Sequence, residues 1–150
     1  MTNILISIFV SLFIVVITTF LFYEILGFVM RLITNKKLTP RWLLLTLILG
    51  VFCAHSASVI AYGLAYWILT GFSHYPKLEG IDANNIEAYL YYSATTYSSL
   101  GIGDIFPRGC LRIITSFEVI NGLTLIAWSA TFTYFSVQKM WNSNINSQKT

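Results

Sequence analysis

The sequence predicts an all-α membrane protein: three transmembrane helices plus a shorter re-entrant helix that dips into the bilayer and returns through a loop. Three observations carry that expectation. Hydrophobic residues make up 56% of the chain and charged residues 10%, whereas soluble domains carry about a quarter charged residues. Apolar residues dominate the stretches Ile4 to Ile33, Trp42 to Phe72 and Leu111 to Trp141. Each is longer than the roughly 20 residues that cross about 30 Å of hydrocarbon. Between the last two lies Ser98-Ser99-Leu100-Gly101-Ile102-Gly103-Asp104. Its glycines tolerate the positive φ that lets successive carbonyls face one way. At bilayer depth such backbone survives only when buried in protein or lining water.

The first apolar stretch follows Met1-Thr2-Asn3 with no basic residue ahead of it. A cleaved leader would show a positive start and a small-residue cleavage site, so this stretch is expected to be a retained helix. Trp42, Trp67, Tyr75 and Trp141 fall near the expected ends of the spans, where ring-bearing residues anchor at the interface. Arg31, Lys36, Lys37 and Arg41 make the first connection basic without an acid, and Lys139 and Lys149 do the same for the C-terminal end. Positive-inside bias therefore places that connection and the C-terminus in the cytoplasm, with the N-terminus and residues 73–109 outside. The expected division is an N-terminal helix 1–35, a basic connection 36–41, a unit 42–141 and a short polar tail 142–150.

Within the outer stretch, Asp82 to Asn85 offers helix-start chemistry and Glu87 a favourable first-turn charge. Ile86 to Ser98 then reads as a short helix of aromatic and hydroxyl residues, too short to cross the bilayer. Its C-terminal end carries about half a negative charge. Pointed into the membrane interior, that end favours only a cation.

Helix, short helix, glycine loop, helix: from Trp42 to Trp141 the chain resembles the two-transmembrane, pore-loop potassium channel superfamily, as a bacterial ion-channel protein with one extra helix in front. The family's T-T-V-G-Y-G-D is matched by Ser98 to Asp104, with both glycines and the aspartate kept and Leu100 in place of valine. Thr95 and Thr96 precede the loop, Pro107 follows it, and Gly122 stands where the family has an inner-helix hinge glycine. The resemblance implies a passive, potassium-selective channel in the bacterial plasma membrane, built as a homotetramer in the lipid bilayer. It implies potassium ions at the oxygens of Ser99, Leu100, Gly101, Ile102 and Gly103, replacing the hydration shell. Tyr91, Tyr92, Thr95, Thr96 and Asp104 would support that filter, with Asp104 held by Tyr91 or Tyr92. Leu100 is expected to turn its side chain away from the axis, into the packing of the short helix.

Two departures bear on selectivity. Ile102 stands where the family has tyrosine and donates no hydrogen bond. Ser99 stands where threonine is usual and is freer at χ1. A non-selective monovalent cation channel and a non-conducting membrane adaptor are the alternatives. Enzymatic activity is not expected: there is no catalytic dyad, metal cluster or phosphate loop, and Gly101-Ile102-Gly103 lacks the third glycine of a dinucleotide site. His55 and His74 are isolated, and Cys53 and Cys110 lie at different expected depths, against an intrachain disulfide. No cofactor beyond the permeating ion and no nucleic-acid partner are expected.

Polar residues inside the spans must face protein or water. Glu118 is expected to bond His55 or the hydroxyls of the short helix, either as a brace or as a proton-sensing gate. Glu24 is expected to snorkel or pair near Arg31. Ser129, Thr131, Thr133 and Ser136 are expected to line an aqueous cavity, with Phe132 and Phe135 as a hydrophobic constriction. Glu118, His55, Gly122, Phe132 and Phe135 are thus the candidate gating residues. The first helix is expected on the outside, toward lipid. No span carries an arginine ladder, so a charged-helix voltage sensor is not expected.

Overall fold

The computed structural model describes residues 2–35, 39–72, 75–80 and 85–147. Lys36 and Lys37 of the basic connection, His74, Asp82 and Asn84 of the expected helix start, and residues 148–150 lie outside them. The elements run α1 (Thr2–Asn35), α2 (Pro40–Thr70), β1 (Leu78–Gly80), α3 (Ile86–Tyr97), β2 (Ile105–Pro107) and α4 (Leu111–Ser147). Among the described residues, three helices are long and apolar enough to cross a membrane, over Ile4–Asn35, Pro40–Thr70 and Leu111–Lys139. At 12 residues, α3 is about 18 Å long and cannot cross.

Local chemistry sets the boundaries. Thr39 is extended ahead of α2, and Pro40 occupies its first turn, where its fixed φ and missing N–H fit. Asn85 caps α3 through its carbonyl, which accepts from Ala88 and Tyr89, while its side chain makes no capping bond. The expected polar tail begins as helix: α4 continues past Trp141 to Ser147.

Helix α3 packs against both α2 and α4, while α1 packs on α2 and α4 from another side. The first helix therefore touches the last one directly rather than covering α2 alone. It keeps a broad exposed apolar face that includes Phe9, Phe13 and Phe20. Two glycines permit the close approaches that seat α3. A Cβ at Gly63 would meet Leu90 and the Tyr89 carbonyl, and one at Gly122 would collide with the Tyr97 carbonyl. Beyond the loop, β1 and β2 pair antiparallel with Leu78 opposite Pro107 and Gly80 opposite Ile105. An exposed Arg108–Glu79 ion pair of 2.8 Å and the Arg108 guanidinium over Phe106 flank this ribbon. Such a surface pair adds little stability.

The core is rich in tyrosine. Tyr62, Tyr66, Tyr89, Tyr92 and Tyr97 are buried together with Phe22, Leu111, Ile114 and Leu125. A buried phenol needs a partner, and each hydroxyl of the first two has one on α4, as does Tyr92. Tyr62 pairs with Asn121, Tyr66 with Glu118 and Tyr92 with Thr115. Tyr89 pairs with Thr70 and Tyr97 with His55, both on α2. Among the described residues no buried side-chain nitrogen or oxygen lacks a partner.

Candidate functional site

The loop after α3 begins as a helix cap. Ser98 keeps right-handed geometry, with φ −79°, and Ser99 turns left-handed at φ 60°. The Leu100 N–H donates to the Thr95 carbonyl at 2.8 Å and the Ser99 N–H to the Thr96 carbonyl at 2.9 Å. These are the paired bonds of a Schellman cap, in which a left-handed residue follows the last helical turn. The Gly101 N–H adds a second bond to the Thr95 carbonyl at 3.1 Å. Thr95 and Thr96 therefore anchor the loop through their backbone oxygens.

Beyond the cap the sign of φ alternates. Ser99, Gly101 and Gly103 are positive, at 60°, 54° and 86°, and Leu100 and Ile102 between them are not. In an ordinary strand successive carbonyls point to opposite sides; alternating the hand at every second residue turns them toward one side. Only glycine enters the left-handed region without steric cost, and a short polar side chain does so more readily than a branched one. Among the described residues, no hydrogen bond uses the carbonyls of Ser99, Leu100, Gly101 or Ile102. The loop stands exposed on this single chain, with Leu100 66% and Ile102 56% accessible, so Leu100 is not buried in the packing of α3 as expected. A crevice of about 320 Å³ separates it from Thr115 and Val119 on α4.

Beside the loop's outer end, Asp104 accepts from the N–H of Ile105 at 3.0 Å. The same carboxylate stands beside the Tyr91 hydroxyl and holds that phenol's pKa above its ordinary value. Tyr92 points elsewhere: it is buried and its hydroxyl meets Thr115 at 2.7 Å. Thr115 in turn donates to the Leu111 carbonyl at 3.1 Å.

Behind α3, α4 carries three polar ties. Glu118 is fully buried. It accepts at Oε2 from the Tyr66 hydroxyl and at Oε1 from the Ser93 hydroxyl, each at 2.6 Å. Ser93 also reaches the Val59 carbonyl at 2.9 Å. One carboxyl thereby joins α2, α3 and α4. Three residues on, the Asn121 amide donates to Thr18 at 2.8 Å and Tyr62 at 3.2 Å, joining α1 and α2 to α4. Further along, His55 sits between the Tyr97 hydroxyl at 2.9 Å and Ser129 at 3.1 Å, with the Phe22 ring 4.9 Å away. Ser129 donates to the Ile126 carbonyl, so the His55 Nε2–H is the donor toward Ser129.

Of the two partners expected for Glu118, the structure brings the hydroxyl of α3; His55 lies in a separate cluster. Ser129, expected to line a cavity, is buried against His55. Its orientation follows from the imidazole's need for an acceptor in an apolar span. Phe132 turns toward α1 and Phe135 is exposed. Gly122 interrupts nothing, since α4 runs unbroken through it. Glu24 is on an exposed face and, among the described residues, forms no ion pair with Arg31.

Ser93 answers the expected hydroxyl of the short helix, whereas Tyr62, Tyr66, Tyr97 and Asn121 were not foreseen as partners. A signal was present on α2, where His55, Ser58, Tyr62, Tyr66 and Thr70 recur every three or four residues and mark one polar face of an apolar helix.

Comparison with curated proteins and with solved structures found no match for this chain. A family model described as "Ion channel" matches residues 41–137, which contain α2, α3, the glycine loop and most of α4. With more than half of its length matched, its apolar helices long enough to span a bilayer and a loop of unpaired carbonyls between the last two, the chain belongs to the two-transmembrane, pore-loop ion channel family.

Proposed function

We propose that this ion channel is passive and potassium-selective, formed by four copies whose 98–104 loops converge on a common axis as the filter. The observation that carries the reading is the alternating φ of Ser99, Gly101 and Gly103 together with the unpaired carbonyls from Ser99 to Ile102. Carbonyl oxygens with no internal donor, at the end of a helix carrying about half a negative charge, suit a dehydrated monovalent cation. Four such loops supply the rings of oxygens that replace its water. The exposed Leu100 and Ile102 and the crevice behind the loop favour neighbouring copies as the missing cover, and a closed ring of identical chains is the symmetric way to provide it. Thr95 and Thr96 hold the loop's start, and Tyr91 with Asp104 braces its outer end. Glu118 and His55 brace α3 from behind.

A liposome flux assay on the purified protein tests this. Potassium efflux exceeding sodium efflux, with block by barium, is the expected result. Equal potassium and sodium flux would give the non-selective reading, which the absence of a hydroxyl at Ile102 favours. No flux would leave a membrane adaptor.

A further inference from the structure

Helices α1 and α4 run in parallel and touch at two levels. Near the middle of α1, Thr18 accepts the Asn121 amide; toward its end, the Ser136 hydroxyl, which donates to the Phe132 carbonyl at 2.8 Å, lies 3.9 Å from the Met30 sulfur. Between these contacts the helices part and leave an apolar groove of about 150 Å³. Phe22, Gly27 and Met30 wall it on one side, Leu125, Trp128 and Phe132 on the other.

The wall on α1 runs from Thr19 to Met30 at spacings of three and four, one continuous stripe of the helix. At 1.5 Å per residue it is about 16 Å long, close to half of the roughly 30 Å hydrocarbon layer. Arg31 follows the groove's last residue directly. It is exposed and, among the described residues, has no carboxylate partner. Gly27 sharpens the picture. Small residues on membrane helices usually mark a close helix contact, yet a Cβ at Gly27 would meet nothing within 4 Å. The glycine opens a notch that no part of the described chain fills. Apolar space of this order excludes water and accepts hydrocarbon.

We propose that this groove binds the acyl tail of a phospholipid from the leaflet that borders Arg31, with the lipid phosphate level with that guanidinium. The groove has the length of one leaflet's chain, an apolar lining and a cation at the leaflet's surface. Most of its wall is α1, which lies ahead of the residues matched by the family model. The site rests on membrane insertion and not on conduction. A bound tail would fix the spacing between α1 and α4.

Trp128 reports on the site. The full chain carrying Trp42→Phe, Trp67→Phe and Trp141→Phe is reconstituted in vesicles of phosphatidylcholine brominated near the middle of its chains. Strong quenching of Trp128 is expected, and Gly27→Leu, which fills the notch without a clash at Cβ, should remove most of it. Phe132→Ala enlarges the groove and should increase quenching. Unchanged quenching in both variants would mean general contact with surrounding lipid and would overturn the site. Trp128 shielded from brominated lipid in the parent chain would mean a neighbouring copy covers the groove, which also overturns it. Neither result depends on whether ions pass.

Discussion

Glu118 shows how one side chain decides the local geometry. A carboxyl inside an apolar span is costly unless partnered, and here both oxygens are met, by Tyr66 from α2 and by Ser93 from α3. Removing one donor leaves a buried acceptor unsatisfied. Tyr66→Phe is therefore expected to destabilise the fold by about 1–3 kcal/mol, read as a lower unfolding midpoint in detergent. An unchanged midpoint would show that Glu118 does not tie α2 to α4. Gly101 presents the opposite case, because its surroundings are empty and only its backbone matters. At φ 54° an alanine adds about 1–2 kcal/mol of backbone strain in each copy. Gly101→Ala should keep the assembled fold but lose most potassium flux; full flux would mean that the left-handed turn is dispensable.

At the scale of elements, α3 is the piece that everything else positions. It is short, rich in hydroxyls and wedged between α2 and α4, with Gly63 and Gly122 admitting its backbone from either side. Gly122→Ala places a methyl against the Tyr97 carbonyl, so it should cost about 1–3 kcal/mol by overpacking and lower flux by moving the end of α3. A swap at Gly27, where the same methyl meets open space, should leave thermal stability within the scatter of surface substitutions. Equal midpoints for the two variants would contradict the close approach at Gly122. The glycine's place in α4 was legible in the sequence. Its tight contact with Tyr97 was not, because that contact joins residues 25 positions apart in the chain through the packing of two helices.

Across the whole molecule, the proposed function has neighbouring copies cover the exposed loop with its apolar Leu100 and Ile102. The detergent-solubilised protein is expected to have the mass of four chains by light scattering. A monomer in conditions that retain ion flux would remove the shared-axis filter.

Composition and span length alone settled that the chain lives in a membrane and which of its described helices are long enough to cross it, because hydrocarbon imposes length and apolarity directly on the residues that meet it. The glycine pattern likewise disclosed the special loop, since positive φ narrows the choice of residue at each position. Only the tertiary structure decided which polar side chains pair. Glu118 chose Ser93 and Tyr66, His55 chose Tyr97 and Ser129, and α1 joined α4 through Asn121. Those choices depend on the depth and rotation of one helix against another, and a helical repeat read along the chain carries neither.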